Sequence, residues 1–349
     1  MLSFRRPTSS FTLTRGALRF YSTQPPEKPS LKLVAELRKL TEVSITKARE
    51  ALSASNNDVQ AALQWLEKDI VVSGAKKAAK VEGRETGEGM IGISVLSRGT
   101  GSSPSGVRAA MIELNCETDF VARNDLFGKL VADITHTAAF IAEPDSSSSN
   151  VLRPFDLDAL LDAPLLSPNA VEARAQSTVG SAIRDTIAKI GEKVSLKRVV
   201  TAIQHPVPPK FASSLGLRLG SYTHGSVNLP SQGRIGALSL LALKSPRLST
   251  LFADPSFREE VEKLERSLAR QIVGFETHTV RPPTSDFEET ALYCQPAMMF
   301  PGEYSGQSVE KLLNNWVHEK QLVVETDVAE SGGAEVLEFV KWKVGEPAK

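Results

Sequence analysis

Apolar and polar residues alternate in two rhythms along the chain, and these rhythms predict both strands and helices. Residues 107–116 show the period of two that is typical of a half-buried strand. One face of that strand contains Ala110, Ile112, Leu114 and Cys116. Beyond it the apolar positions change to helical spacing, which predicts an amphipathic helix with an apolar face from Phe127 to Ile141.

The pattern of a hairpin followed by a helix occurs twice. Residues 91–95 and 107–116 form the first predicted antiparallel pair, and residues 215–222 and 235–243 form the second. A helix opened by Pro255, with Asp254 as its N-cap, follows the second pair. The repetition predicts two related subdomains with antiparallel sheets, because the strands are joined by hairpin loops and not by helical crossovers.

Further elements complete the prediction for this region. A helix is predicted from about Asn169 to Ile190, ending at Gly191, and a strand follows from Val194 to Val200. Near the C-terminus, Ser308 is the predicted N-cap of another helix. The remaining predicted strands are Gln321–Val328 and Val336–Val344.

Three short amphipathic helices are predicted near the N-terminus. Ser44 is the predicted N-cap of the second, and Asn57, with Gln60 three residues later, is the predicted N-cap of the third. Each helix is too short to be stable alone, so the three must pack into one small module. The module is either a docking element or a purely structural cap.

The predicted fold class is therefore α+β, with a three-helix module before two related α+β subdomains that have antiparallel sheets and no long coiled-coil insertion. The predicted division of the chain is 1–21 (transit peptide), 22–29 (linker), 30–72 (three-helix module), 73–88 (basic connector), 89–204 (first subdomain) and 205–349 (second subdomain).

Composition limits the possible classes of protein. The chain has 349 residues, of which 41% are apolar and 23% charged, as in ordinary globular proteins. No apolar run approaches the length needed to span a membrane. The two cysteines, Cys116 and Cys294, cannot form a disulfide framework or a four-ligand metal site by themselves. Buried thiols in a reducing compartment are the predicted state.

The N-terminal segment has a composition of its own. Residues 1–21 contain four arginines and many serines and threonines, and no acidic residue occurs before Glu27. This composition is typical of a mitochondrial transit peptide, and we expect cleavage near Tyr21. The whole chain has 41 basic and 41 acidic residues. Loss of the four arginines would leave 37 basic residues against 41 acidic ones, a net charge of −4 that disfavours binding to a nucleic-acid backbone.

Two patterns in the sequence are candidates for chemical sites. Gly87, Gly89 and Gly92 have the spacing of a dinucleotide-binding loop, but that loop needs a strand before it and a helix after it. Here a strand pattern follows, which favours the flexible start of a strand over a cofactor site. The five histidines show no metal-ligand spacing. His136 is predicted to be a surface residue, and His224, in a glycine-flanked hairpin tip, is either a turn residue or a contact residue. No cofactor or metal is predicted, and the chain has the character of a binding protein and not of an enzyme.

The junction between the first hairpin and its helix is a candidate for a binding site. It runs from Asn115 to Asn124, and it is predicted to place Asp119 and Phe120 on a short, well-anchored turn. One interpretation is structural, with Asp119 capping the helix and Phe120 packed in the core. The other is functional, because side chains on loops held by a rigid scaffold often make binding contacts.

Several separate segments together resemble the elongation factor Ts family, in its mitochondrial form. They are Leu33–Arg38, Gly74–Lys80, Asn115–Ala122, Lys189–Glu192, Leu219–Gly225 and Arg234–Gly236. The resemblance covers most of the chain after the predicted transit peptide. It implies a ubiquitin-associated-like three-helix module, two α+β subdomains, and a location in the mitochondrial matrix.

The resemblance also implies a function and a partner. A member of this family binds elongation factor Tu in its GDP form and promotes exchange of GDP for GTP, by disturbing the magnesium and phosphate site of that partner. Thr118, Asp119, Phe120 and Val121 match the segment that disturbs the magnesium site. No nucleic acid, membrane or small-molecule substrate is implied. The alternative is an adaptor or chaperone-like partner of a translation factor that does not promote exchange.

Other positions implied by the resemblance are less specific. Ile190, Gly191 and His224 match secondary contacts with elongation factor Tu. The basic run Ala75–Lys80 is either a solvated face or a partner contact. The loop Ser226–Gly233 is an insertion without an assigned role.

Overall fold

The computed structural model describes residues 28–41, 43–102, 106–144, 149–168, 177–226, 229–284, 287–300, 302, 306–325 and 330–347. The predicted transit peptide and most of the predicted linker lie outside these residues. The described chain divides into two compact units, up to Lys68 and from Asp69 onward. No helix in the described ranges combines the length and apolar character that a membrane span requires.

The elements follow one another in a mixed order. The helices are α1 (Leu31–Thr41), α2 (Ile45–Ala54), α3 (Val59–Val81), α4 (Asp119–Ala122), α5 (Asp125–Ile141), α6 (Leu157–Asp162), α7 (Val179–Ile190), α8 (Pro209–Ala212), α9 (Leu248–Ala253), α10 (Pro255–Gly274) and α11 (Val309–Glu319), with a 3₁₀ turn at Leu292–Cys294. The strands are β1 (Glu88–Arg98), β2 (Val107–Cys116), β3 (Leu152–Pro154), β4 (Val194–Gln204), β5 (Leu215–His224), β6 (Gln232–Gly233), β7 (Ile235–Lys244), β8 (Val324–Glu325), β9 (Glu330–Ser331) and β10 (Gly333–Lys343).

The first unit is a small helical module with its own apolar core. That core consists of Val34, Leu37, Ala48, Ala51, Leu52, Ala62 and Leu66. The predicted N-cap of α2 is confirmed, because the Ser44 hydroxyl accepts the N–H of Lys47 at 3.2 Å. The predicted N-cap of α3 is wrong. Asn57 lies in the left-handed region, with φ +63°, and closes the end of α2, so the neighbouring Asp58 caps α3 and accepts the N–H of Ala61 at 2.8 Å.

Helix α3 is longer than the pattern predicted. It runs without interruption to Val81 and so includes the basic run Ala75–Lys80. Its last turns belong to the second unit, where the Lys77 ammonium donates to the Ala188 carbonyl at 2.6 Å and Val81 is buried in an apolar cluster. The start of the predicted connector is therefore helical.

The second unit contains two large antiparallel sheets, and strands β8 and β9 form a separate short antiparallel pair. The larger has the strand order β3-β4-β2-β1-β6, and the smaller has the order β10-β7-β5. Both predicted hairpins pair antiparallel, β1 with β2 and β5 with β7, and each is followed by a long helix, α5 and α10 respectively. The predicted α+β class and the repeated hairpin and helix are thus confirmed. The described residues between α10 and α11 include the 3₁₀ turn at Leu292–Cys294, and they contain no long coiled coil.

The two sheets pack face to face, with helices on both outer sides. Ile91 and Met111 of the larger sheet meet Leu219 and Leu238 of the smaller one in a shared core. Helices α5 and α7 cover the outer face of the larger sheet, and α10 and α11 cover that of the smaller. Strand β2 is therefore buried on both faces, and the prediction of a half-buried strand is wrong because the second sheet covers its other side.

Each hairpin also reaches across to the other sheet. After β1, the N–H of Thr100 donates to the Leu217 carbonyl at 2.9 Å. In return, Gln232 and Gly233 of the predicted insertion form β6 at the edge of the larger sheet, and the Gln232 amide donates to the Gly128 carbonyl at 2.6 Å. The described part of this insertion therefore fastens the two halves together.

Two predicted elements differ in extent. Helix α7 begins at Val179, with the Thr178 hydroxyl as its cap. The prediction of a helix from Asn169 is therefore wrong for residues 177 and 178. Residues 169–176 lie outside the described chain. Of the predicted strand Gln321–Val328, only Val324–Glu325 is strand among the residues described, and positions 326–329 lie outside them.

Candidate functional site

The candidate site is a one-turn helix, α4, directly after strand β2. Thr118 is its N-cap and accepts the N–H of Val121 at 3.4 Å. Asn124 then caps α5 by accepting the N–H of Leu126 at 2.8 Å. The interpretation that made Asp119 a helix cap is therefore wrong, because the residues before each helix, Thr118 and Asn124, perform that role.

The side chains of α4 divide between the core and the surface. Val121 and Ala122 are buried in the cluster under α5, whereas Phe120 is 82% exposed. A phenylalanine with this exposure has gained almost none of the free energy that burial of an aromatic ring provides. The interpretation that packed Phe120 in the core is wrong, because a single helical turn that buries Val121 and Ala122 must direct residue 120 outward.

Asp119 lies beside Phe120 and is partly exposed. Its carboxylate is 3.3 Å from the guanidinium of Arg123, four residues later. Both side chains are solvated, so this ion pair contributes little to stability. The carboxylate of Asp119 is accessible to a partner.

The turn is fastened to the end of helix α7. The Glu192 carboxylate accepts the backbone N–H of Thr118 at 3.1 Å and the Thr118 hydroxyl at 2.8 Å. In the opposite direction, the Glu117 carboxylate accepts the backbone N–H of Lys193 at 2.6 Å. Hydrogen bonds to a carboxylate are stronger than neutral ones, so the two loops hold each other firmly.

A thiol lies beneath the turn. Cys116 is fully buried at the end of β2, and its Sγ donates to the Thr118 carbonyl at 3.2 Å. Burial, with a smaller contribution from the Glu192 carboxylate, raises the pKa of Cys116 to about 12. The thiol is therefore protonated at neutral pH. Cys294 is partly exposed, so the prediction of buried thiols is confirmed for Cys116 alone.

Two of the secondary positions lie close to this turn. Ile190 ends α7, and Gly191 follows as its C-cap in the left-handed region, with φ +80°. Their neighbour Glu192 contacts Thr118, so the structure brings 190–191 and 118–121 together. Gly191 is exposed, and a β-carbon there would meet no atom within 4 Å.

His224 occupies a different place. It ends β5 in the smaller sheet, it is exposed, and its carbonyl accepts the N–H of Arg234 at 2.7 Å. Across the described ranges no hydrogen bond joins it to residues 118–121. His136, predicted to be a surface residue, is partly exposed on α5, with its ring stacked on Phe140 at 6.4 Å between centroids.

The glycines with dinucleotide-loop spacing have packing roles. Gly89 and Gly92 lie within β1, and no helix follows them. A β-carbon on Gly89 would overlap the Leu114 carbonyl oxygen of the neighbouring strand, and one on Gly92 would collide with Val131 of α5. Close packing thus explains both residues, against the backbone of a strand for Gly89 and against the side chains of a helix for Gly92. Within the described chain, no three His, Cys, Asp or Glu residues are grouped so that they could hold a metal ion.

Sequence reasoning missed the residues that fix the turn. Glu117 and Glu192 belong to segments that carried the family resemblance, but no role followed from their positions in the sequence. The only local signal was an acidic residue at the start of each loop. The hydrogen bonds from each acid to the other loop could be found only in the structure.

Comparison with known proteins identifies the family. The family model described as "Elongation factor TS" matches residues 117–284. The protein named "Elongation factor Ts, mitochondrial" from Laccaria bicolor is 55% identical over 343 residues, covering 98% of each chain. The protein of the same name from Coprinopsis cinerea is 52% identical over 348 residues, covering 99% of each chain. The one from Mycosarcoma maydis is 33% identical over 405 residues, covering 97% of this chain and 90% of the relative. The chain therefore belongs to the elongation factor Ts family of translation factors, and it is a mitochondrial member of that family.

Proposed function

We propose that this protein is the guanine-nucleotide exchange factor of mitochondrial elongation factor Tu. It binds the GDP form of that partner and promotes release of GDP, so that GTP can replace it. The proposal rests on family membership together with one observation, the exposed Phe120 ring on a turn that the rest of the domain holds in place.

The mechanism needs no catalytic acid or base in this chain. A protein that binds nucleotide-free Tu more tightly than GDP-bound Tu must, by thermodynamic reciprocity, weaken the binding of GDP. Thr118, Asp119, Phe120 and Val121 are the proposed segment that disturbs the magnesium and phosphate site of the partner. The ring of Phe120 enters an apolar pocket there, and Asp119 makes polar contacts beside it.

The geometry suits this role because the residues that hold the turn in place, Thr118 and Val121, are different from the residue that presents the ring, Phe120. Val121 is buried and Thr118 is bonded to Glu192, so the backbone that carries Phe120 is supported from two sides. A backbone that does not need to be ordered on binding loses less conformational entropy there, and this increases affinity.

Other contacts add to the interface. Ile190 and Gly191 lie beside the turn and extend the same surface, and His224 contacts the partner from the second half of the chain. The three-helix module of residues 30–72 docks on the nucleotide domain of the partner. The chain acts by protein binding alone, with no nucleic acid, membrane or small-molecule substrate. Residues 1–21 direct import into the mitochondrial matrix and are then removed.

The alternative function is an adaptor or chaperone-like protein that binds Tu without changing nucleotide exchange. A stopped-flow measurement of fluorescent GDP leaving mitochondrial Tu, with and without this protein, separates the two. We expect the release rate to rise with the concentration of this protein and then to saturate. Binding without any increase in the release rate would favour the adaptor and contradict the proposal.

A further inference from the structure

The loop after β2 and the loop after α7 are joined by two reciprocal hydrogen bonds, in which a carboxylate of each loop accepts a backbone N–H of the other. Glu117 in the first loop accepts the backbone N–H of Lys193 in the second, at 2.6 Å. Glu192 in the second loop accepts the backbone N–H of Thr118 in the first, at 3.1 Å. Each acid therefore fixes the backbone of the residue that follows the other acid.

The segment after α3 also takes part in this hydrogen-bond network. The Lys193 ammonium donates to the carbonyl oxygens of Glu82 at 2.6 Å and Arg84 at 2.9 Å. The Arg84 guanidinium in turn donates to the Glu117 carboxylate at 3.1 Å. Three separate segments of the second unit thus meet at the base of the turn that carries Phe120.

This arrangement controls the direction of the Phe120 ring. With 82% of its surface exposed, the ring gains little positioning from packing, so its direction depends on the backbone of α4. That backbone begins at Thr118, the residue to which Glu192 bonds through both oxygens. Two charge-assisted bonds to one residue restrain the start of the turn in position and in rotation.

We propose that Glu192 is a positioning residue for nucleotide exchange, which holds the turn so that Phe120 meets the partner in the productive direction. The inference rests on the proposed exchange function and deepens it. Glu192 does not itself touch the magnesium or phosphate site of the partner; it acts through Thr118.

The test compares Glu192→Ala with Glu192→Gln in stimulated release of fluorescent GDP from mitochondrial Tu. The alanine variant loses both bonds, and we expect the maximal release rate to fall about tenfold or more, the equivalent of losing about one charge-assisted hydrogen bond. The half-saturating concentration should change less, because the other contacts remain. The glutamine variant keeps an acceptor for the Thr118 N–H, and its amide can donate to the Thr118 hydroxyl oxygen. It should therefore restore most of the rate.

A double-mutant cycle separates positioning from a general loss of structure. If Glu192 acts through the ring, Glu192→Ala should have no further effect on release when Phe120→Ala is already present. Thr118→Val removes the hydroxyl's bonds to Glu192 and to the Val121 N–H and keeps the backbone bond to Glu192, and it should give a loss that also vanishes in that background. It replaces Glu192→Ala if the latter does not fold. Glu276→Ala, which removes an exposed carboxylate in the second half, is the control and should behave as the unaltered protein.

The outcomes are distinguishable. If the unaltered protein does not accelerate GDP release, the proposed function fails and this inference fails with it. If it does accelerate release, and Glu192→Ala leaves the rate unchanged or lowers it by the same factor with and without Phe120, the inference alone is overturned.

Discussion

Arg218 of β5 and Glu265 of α10 form an ion pair that is buried inside the second unit. Only 3% of the arginine side chain and 1% of the glutamate side chain is exposed, and Nη2 lies 3.3 Å from Oε2. The Arg218 guanidinium also donates to the Thr100 carbonyl at 2.7 Å, in the loop of the first hairpin. One guanidinium therefore joins both halves of the unit.

Removal of the acid from this pair should destabilise the protein strongly. Glu265→Ala leaves a buried guanidinium that cannot lose its charge, and such a change costs about 3–5 kcal/mol of unfolding free energy. Urea denaturation at pH 8, above the pKa of Glu265, measures the loss. Glu310→Ala breaks the exposed ion pair with Arg281 and should cost at most about 1 kcal/mol. Equal losses in the two variants would show that burial of the Arg218–Glu265 pair has no consequence.

The same glutamate should give the stability a specific pH dependence. Burial raises the pKa of Glu265 to about 7, because desolvation outweighs the attraction of Arg218. An ordinary glutamate titrates near 4.5, so the folded state holds this proton more tightly than the unfolded state. The contribution of Glu265 is therefore fully present below about pH 4.5 and decreases as the pH rises to about 7.

Urea denaturation at several pH values from 5 to 8, on the unaltered protein and on Glu265→Gln, checks this sign, since glutamine does not titrate over the same range. The free energy of unfolding of the unaltered protein should fall relative to that of the variant as the pH rises. Parallel pH profiles would refute the assignment.

Gly191 should resist substitution for reasons of backbone conformation alone. Its φ of +80° is left-handed, and the space around a β-carbon is open. Gly191→Ala should therefore cost about 1–2 kcal/mol of unfolding free energy, and Gly191→Asn less. Gly87 also has open space but lacks a left-handed φ, so Gly87→Ala is the matched control and should cost clearly less. A similar loss at both glycines would exclude a conformational cause.

The two cysteines should differ in reactivity. Because burial raises the pKa of Cys116 to about 12, only about one molecule in ten thousand carries its thiolate at pH 8. Treatment with iodoacetamide followed by mass spectrometry should label Cys294, which is partly exposed, before Cys116. Both should react in urea. Rapid labelling of Cys116 in the folded protein would contradict its position beneath the turn.

The sequence predicted the local elements well because hydrophobic rhythm determines them. The helical patterns that begin near Phe127 and after Asp254 correspond to α5 and α10, and Asp254 is the N-cap of α10. Errors of one residue occurred at caps, where Asp58 and not Asn57 accepts the helix N–H. Neighbouring polar residues compete for that role, and the choice depends on which of them closes the preceding turn.

Long-range packing could not be predicted from these rhythms. The alternation in β2 indicated one buried face, but the second sheet buries the other face as well. The contacts that each hairpin makes with the other sheet have no local signature. The same holds for the hydrogen bond that Thr118 donates to Glu192, 74 positions later. Glu265 did leave a signal, since it lies on the apolar face of α10 between Val261 and Leu268, where an unpaired charge would be costly.

The exposed ring of Phe120 is central to the account, and its removal is the most direct test. Loss of an aromatic ring buried at an interface commonly costs about 2 kcal/mol or more, and about 1.4 kcal/mol corresponds to tenfold in rate. Phe287→Ala is the matched control, because that ring is 71% exposed and lies in the second half of the chain. Thermal unfolding should be the same for both variants and the unaltered protein.

The measurement is stopped-flow release of fluorescent GDP from mitochondrial Tu at saturating concentrations of each protein. We predict that Phe120→Ala slows stimulated release by about tenfold or more, whereas Phe287→Ala leaves it unchanged. Release by the folded Phe120→Ala variant at the rate of the unaltered protein would contradict the claim that this ring opens the nucleotide site.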